Sequence, residues 1–127
     1  MSDQTTTLEG ADEGRAMELY EYIVNHVDEC RGQLDNLIME LRRADASGQF
    51  LASSARFLAA VDKEGFAEYL PALIEAAIAK DRERRYIGQL PEAIWGKDYK
   101  EHVDELMASD DVFRRLYKRA YPSGTFD

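Results

Sequence analysis

Residues 16–44 read AMELYEYIVNHVDECRGQLDNLIMELRRA, with no proline and a single glycine. Apolar or small residues recur there as Ala16, Tyr20, Ile23, Val27, Cys30, Leu34, Leu37, Leu41 and Ala44, a spacing of 4-3-4-3-4-3-4-3. That rhythm puts one stripe on one side of an α-helix. It predicts a long first helix over residues 14–45. With Tyr20, Val27, Leu34 and Leu41 at heptad position a, position e holds Met17, Val24, Arg31 and Ile38, and position g holds Leu19, His26, Gln33 and Glu40. A two-stranded zipper needs opposite charges at e and g, and three of these four e residues are apolar. The face is therefore broad enough to face several helices of its own chain. The alternative is a homodimer sharing this helix.

The spacing farther along predicts shorter helices at 49–61, 71–86, 97–108 and 111–121. Phe50, Leu51, Ala55, Phe57, Leu58 and Val61 form the inward face of the first. Leu73, Ile74, Ala77 and Ile78 serve the second, which opens on Pro71, where a missing N–H costs nothing. Ser109 or Asp110 can cap the last helix with a side-chain oxygen, and Pro122 stops it. The stretch YIGQLPEAIWG, residues 86–96, reads as an apolar connector that returns Ile87, Leu90, Ile94 and Trp95 to the core. No run of alternating β-branched residues marks a strand, and no internal repeat stands out. The expected fold is all-α: a single-domain helical bundle of about five helices built on a long N-terminal helix. Residues 1–13 are expected to be a disordered acidic tail and residues 14–127 one helical domain, a size that buries a core without disulfides or metal.

Charge is the other informative feature. The chain of 127 residues carries a formal net charge of −9. Residues 1–40 hold ten acids and two bases, while residues 41–90 hold seven acids and eight bases. The excess acid thus lies on the tail and first helix, which argues against general binding to nucleic acid or an anionic membrane. No apolar run reaches the ~18 residues of a membrane span. The acidic, polar N-terminus lacks the pattern of a secretion signal, so a cytoplasmic location is expected.

Candidate chemistry is sparse. His26 and Cys30 share one helical turn but two ligands do not make a zinc site, and the inward Glu-x-x-His pairs of di-iron bundles are missing. His102 lies among Glu101, Glu105 and Asp98, an arrangement that tunes a histidine but also occurs on any exposed mixed-charge helix. The glycines match no phosphate-binding loop. No catalytic residue, metal or cofactor is assigned, and the chain is not read as an enzyme.

Two sets of surface residues remain. Glu18, Glu21, Asp28, Glu29 and Asp35 offer an acidic face to another protein, and a basic partner would neutralise it. Lys80, Arg82, Arg84 and Arg85, with Arg114, Arg115, Lys118 and Arg119, could instead hold a nucleic-acid backbone. Both basic clusters also fall in C-terminal halves of helices, where cations complement the helix dipole. The expected function is a small protein-binding adaptor, regulator or inhibitor. In size and charge alone the chain is similar to small acidic inhibitors of nucleic-acid-binding proteins carried by mobile elements. A helical subunit of a nucleoprotein complex is the alternative, and an enzyme of unknown class comes third.

Overall fold

The structure, a computed structural model, describes residues 12–122. Of the tail expected at residues 1–13, positions 1–11 lie outside them, while Asp12 and Glu13 belong to the helical domain as the cap and first residue of its first helix. Helix and 3₁₀ turns make up 74% of the described residues, with no strand among them. The α-helices are α1 (Glu13–Asn25), α2 (Leu34–Ala44), α3 (Gln49–Asp62), α4 (Leu70–Lys80), α5 (Leu90–Trp95), α6 (Val103–Ser109) and α7 (Asp111–Ala120). Among the described residues, seven α-helices stand where about five were expected.

The long first helix is two helices. After Asn25 the chain turns: the amides of Glu29 and Cys30 both donate to the His26 carbonyl, and a 3₁₀ turn at Arg31–Gln33 leads into α2. Asn25, His26, Val27 and Asp28 all belong to the weaker half of the helix-propensity scale, and Gly32 follows. The chain then doubles back as an antiparallel hairpin. Asp12 N donates to Ala44 O at 2.8 Å, Arg15 pairs with Glu40 at 2.7 Å, and the Tyr22 hydroxyl reaches Gln33. Every member of the 16–44 stripe is nonetheless buried or half-buried. The stripe marks the inner faces of two helices.

The helices stack as pairs in two layers. One layer is α1, α3 and α5; the other is α2, α4 and α7. Each helix packs on its partner and on the next helix of its own layer, the neighbour-to-neighbour contact scheme of helical repeats. Within the second layer the helices run parallel. Met39 and Arg42 of α2 lie beside Ala76 and Lys80 of α4, while Val112 and Arg115 of α7 lie beside Pro71 and Glu75 of α4. One core runs through the stack, with Leu34, Leu41, Leu51, Leu58, Leu73, Ile87, Leu90 and Leu116 fully buried. A smaller aromatic cluster of Tyr99, Phe113 and Tyr117 seats α6 on α7. Val61, expected inside, is 47% exposed at the end of α3.

The structure also shows a repeat of 36 residues. Leu34, Leu37, Ile38 and Asp45 correspond to Leu70, Leu73, Ile74 and Asp81, and all eight are buried. Asp45 and Asp81 do the same job. Each ends a helix and turns its carboxylate back onto the amides that follow: Asp45 takes those of Gly48, Phe50 and Leu51, and Asp81 those of Arg85, Tyr86 and Ile87. This is why α4 stops at Lys80 and does not reach residue 86.

α5 was expected as a connector. It opens on Leu90-Pro91, as α4 opens on Leu70-Pro71, with proline in the first turn of each. α7 is capped as expected: Asp110 Oδ1 accepts from Phe113 N at 3.0 Å, and its Oδ2 holds the Trp95 indole N–H at 3.0 Å.

Candidate functional site

The acidic residues sit on both arms and the tip of the α1–α2 hairpin. Glu18 and Glu21 lie on α1, Asp28 and Glu29 in the turn, and Asp35 in the first turn of α2; all are exposed. They do not form one helical stripe, because the helix that would align them is broken. Of the hairpin's bases, Arg15 and Arg31, the two nearest these acids in sequence, are already engaged, while Arg42 and Arg43 stand at the far end of α2. Arg15 pairs with Glu40 and Glu18. Arg31 donates to Gly65 O at 2.9 Å and lies over the Phe66 ring at 4.0 Å. Glu29 pairs with His26. Glu21, Asp28 and Asp35 have no cationic partner among the described residues.

The basic residues split differently from their order in the sequence. Lys80, Arg82 and Arg85 line an open groove of about 760 Å³ at the C-terminal ends of α2 and α4, with Arg43, Ala46, Ser47, Ala79, Asp81, Glu83 and Tyr86. Arg84 lies in the same loop. Lys80 is partly used in building the groove, since its ammonium donates to the carbonyls of Arg42 and Asp45 at the C-terminal end of α2. Arg85 pairs with Glu83 at 2.7 Å. Arg42, Arg43, Arg82 and Arg84 have no ion-pair partner among the described residues. Arg42 and Arg43 are the members that sequence reasoning misses. They stand about forty positions before the other cluster, and only the parallel stacking of α2 on α4 brings the two together.

Half of the cluster at 114–119 is engaged within the chain. Arg114 donates to Met107 O at 2.9 Å and to Asp111, and Arg115 pairs with Glu75 of α4. Lys118 and Arg119 remain exposed in the last turn of α7. Because α2, α4 and α7 are parallel, these two share an edge of the stack with the groove.

His26 and Cys30 are not a ligand pair. The imidazole is exposed and hydrogen-bonded to Glu29 at 3.0 Å, while the thiol is fully buried and burial pushes its pKa up. His102 lies exposed between Asp98 and Glu105, at 3.7 and 3.2 Å. No group of three or more ligating side chains is placed to hold a metal among the described residues. No helix there is long and apolar enough to cross a membrane.

Comparison with protein-family models, with curated proteins and with solved structures returns no match.

Proposed function

We propose that this protein is a small protein-binding adaptor, regulator or inhibitor working in the cytoplasm, with no catalytic role. The observation that carries this reading is the uncompensated acid of the α1–α2 hairpin. Glu21, Asp28 and Asp35 are exposed on its two arms and tip, and Arg15 and Arg31 are spent elsewhere. Such a surface repels itself and gains from a basic partner. It favours fast, salt-sensitive association, because the Debye length falls from about 30 Å at 0.01 M salt to about 8 Å at 0.15 M. A specific form is an inhibitor that covers the basic groove of a nucleic-acid-binding protein.

The second reading, contact with nucleic acid in a nucleoprotein complex, draws on Lys118 and Arg119 sharing an edge with Arg42, Arg43 and the 80–85 loop. It is weakened by the internal engagement of Arg114 and Arg115.

The experiment is affinity capture from the native host followed by mass spectrometry. It compares the wild type with the triple variant Glu21→Lys, Asp28→Lys, Asp35→Lys. A captured protein that the triple variant loses, with an association rate that falls as salt rises, is the expected result. Capture unchanged by the triple variant, together with nucleic acid that co-purifies and is lost on charge reversal of Lys118 and Arg119, would transfer the function to the second reading. Sedimentation of the purified protein reports whether a second copy is the partner.

A further inference from the structure

We infer that the furrow between α2 and α4, continuous with the basic groove at their C-terminal ends, is a docking site for an acidic amphipathic helix of a partner protein. This rests on the protein-binding reading and assigns it a second surface, distinct from the acidic residues Glu18, Glu21, Asp28, Glu29 and Asp35 although α2 contributes to both. The furrow, of about 360 Å³, has Met39, Ala76 and Ala79 in its lining and is flanked by Arg42, Arg43 and Lys80. Arg43, Ala79 and Lys80 also line the larger groove, so the two form one depression.

Its floor and its rim ask for different things. Alanines on α4 leave room for another helix to approach closely, since helix spacing within the usual 8–10 Å follows the side chains at the contact. Met39 is 57% exposed, more than any other large hydrophobic among the described residues. Methionine is the adaptable side chain of peptide-binding surfaces. Above this floor Arg42, Arg43 and Arg82 hold guanidinium groups with no carboxylate of their own. Asp81, the acid beneath them, is occupied by three backbone amides. A guanidinium presents a fork that suits a carboxylate. An amphipathic helix meets both demands, laying aliphatic side chains on Met39 and the alanines and carboxylates against the arginines.

A nucleic-acid strand satisfies only the rim. It has no aliphatic side chain for the floor. Its phosphate track also needs successive cations, and on α7 Arg114 and Arg115 are bound to Met107, Asp111 and Glu75, which leaves only Lys118 and Arg119 to continue it.

The test uses the full chain and a labelled helical peptide of glutamate, leucine and alanine, about 18 residues or ~27 Å long. Leucines lie on one face and glutamates beside them. Binding is followed by fluorescence anisotropy. The wild type should bind this peptide and not one with serine in place of leucine. Arg43→Glu with Arg82→Glu should weaken binding by about tenfold or more. Met39→Ser should weaken it less, and the exposed Lys97→Glu, which makes the same kind of charge change elsewhere, should leave it unaltered. Thermal melts of all variants report folding. Three results would overturn the proposal: no binding by the wild type; tighter binding of a single-stranded oligonucleotide, lost in the arginine variant; or self-association of the wild type, lost in that variant, which would give the groove to a second copy. Absence of peptide binding alongside capture of a partner through the acidic hairpin removes the groove proposal and leaves the protein-binding reading standing.

Discussion

Gly48 lies backbone to backbone against Asp81. A Cβ at position 48 would stand 3.2 Å from the Asp81 amide nitrogen, from its Cβ and from the Ala77 carbonyl oxygen. The two buried aspartate turns of the 36-residue repeat are therefore packed on each other, and glycine lets them close. Gly48 also has φ of +87°, where a side chain costs about 1–2 kcal/mol. Gly48→Ala is expected to lower the thermal midpoint by roughly 4 °C or more, read by circular dichroism. A midpoint unchanged within a degree would mean that the turns do not bear on each other.

Position 84 is the repeat counterpart of position 48, and it too has positive φ, at +57°. Here the residue is arginine, the only non-glycine in that region among the described residues. Glycine relieves the backbone strain but enlarges the freedom of the unfolded chain, and the difference is a gain of about 0.5–1 kcal/mol. Arg84→Gly is thus expected to raise the urea midpoint, and Arg84→Ala to leave it nearly unchanged. A loss of stability in Arg84→Gly would show that the side chain holds the loop together.

The hairpin of α1 and α2 gives a third prediction. In a continuous helix the amides of Val27 and Asp28 would be hydrogen-bonded four residues back. In the observed turn they take no part in the backbone bonds that close it, which run from His26, Glu29 and Cys30. Val27 and Asp28 should exchange with deuterium much faster than the interiors of α1 and α2. Leu34→Ala, at a fully buried site, should cost about 2–5 kcal/mol, and the exposed neighbour Asn36→Ala much less. Slow exchange straight through residues 26–30 would restore a single long helix.

That hairpin also shows what the sequence conveys and what it withholds. A 4-3 spacing reports which residues face a core. It does not report whether the helix carrying them is continuous. Two antiparallel helices that both turn inward can continue the same rhythm across a turn, because Val27 is half-buried and Cys30 buried in the turn itself. The local signal was the weak helix formers at 25–28. The start of α5 was equally legible at Leu90-Pro91, since the same pair opens α4. The stop at Lys80 was not, because it depends on Asp81 folding back to reach amides four to six residues ahead, and that aspartate sits inside a charged run that reads as solvated surface. The basic groove was half legible. Its 80–85 loop is an evident cluster, whereas Arg42 and Arg43 join it only through helix stacking. The 36-residue repeat was faint because its shared positions are few and scattered, and the structure makes them equivalent by burying them alike.

The final prediction concerns pH. Glu13 begins α1 at a largely exposed position, and partial desolvation there together with the nearby Asp45 carboxylate raises its pKa above the ordinary value of 4.5. A raised acid favours its neutral form in the folded state. Its stabilising contribution is complete below its unfolded pKa and is lost as pH climbs through the folded one. At neutral pH the ionised Glu13 therefore works against the fold, although it stands in the first turn of α1, where the helix dipole alone would favour an anion. Glu13→Gln stays neutral throughout. It should match the wild type in thermal midpoint at pH below 4.5, exceed it as pH rises through the raised folded pKa, and keep a constant lead above that. A difference that is constant with pH, or one that favours the wild type at pH 7, would mean that the dipole and the Lys80 and Ser47 side chains outweigh Asp45 at this corner.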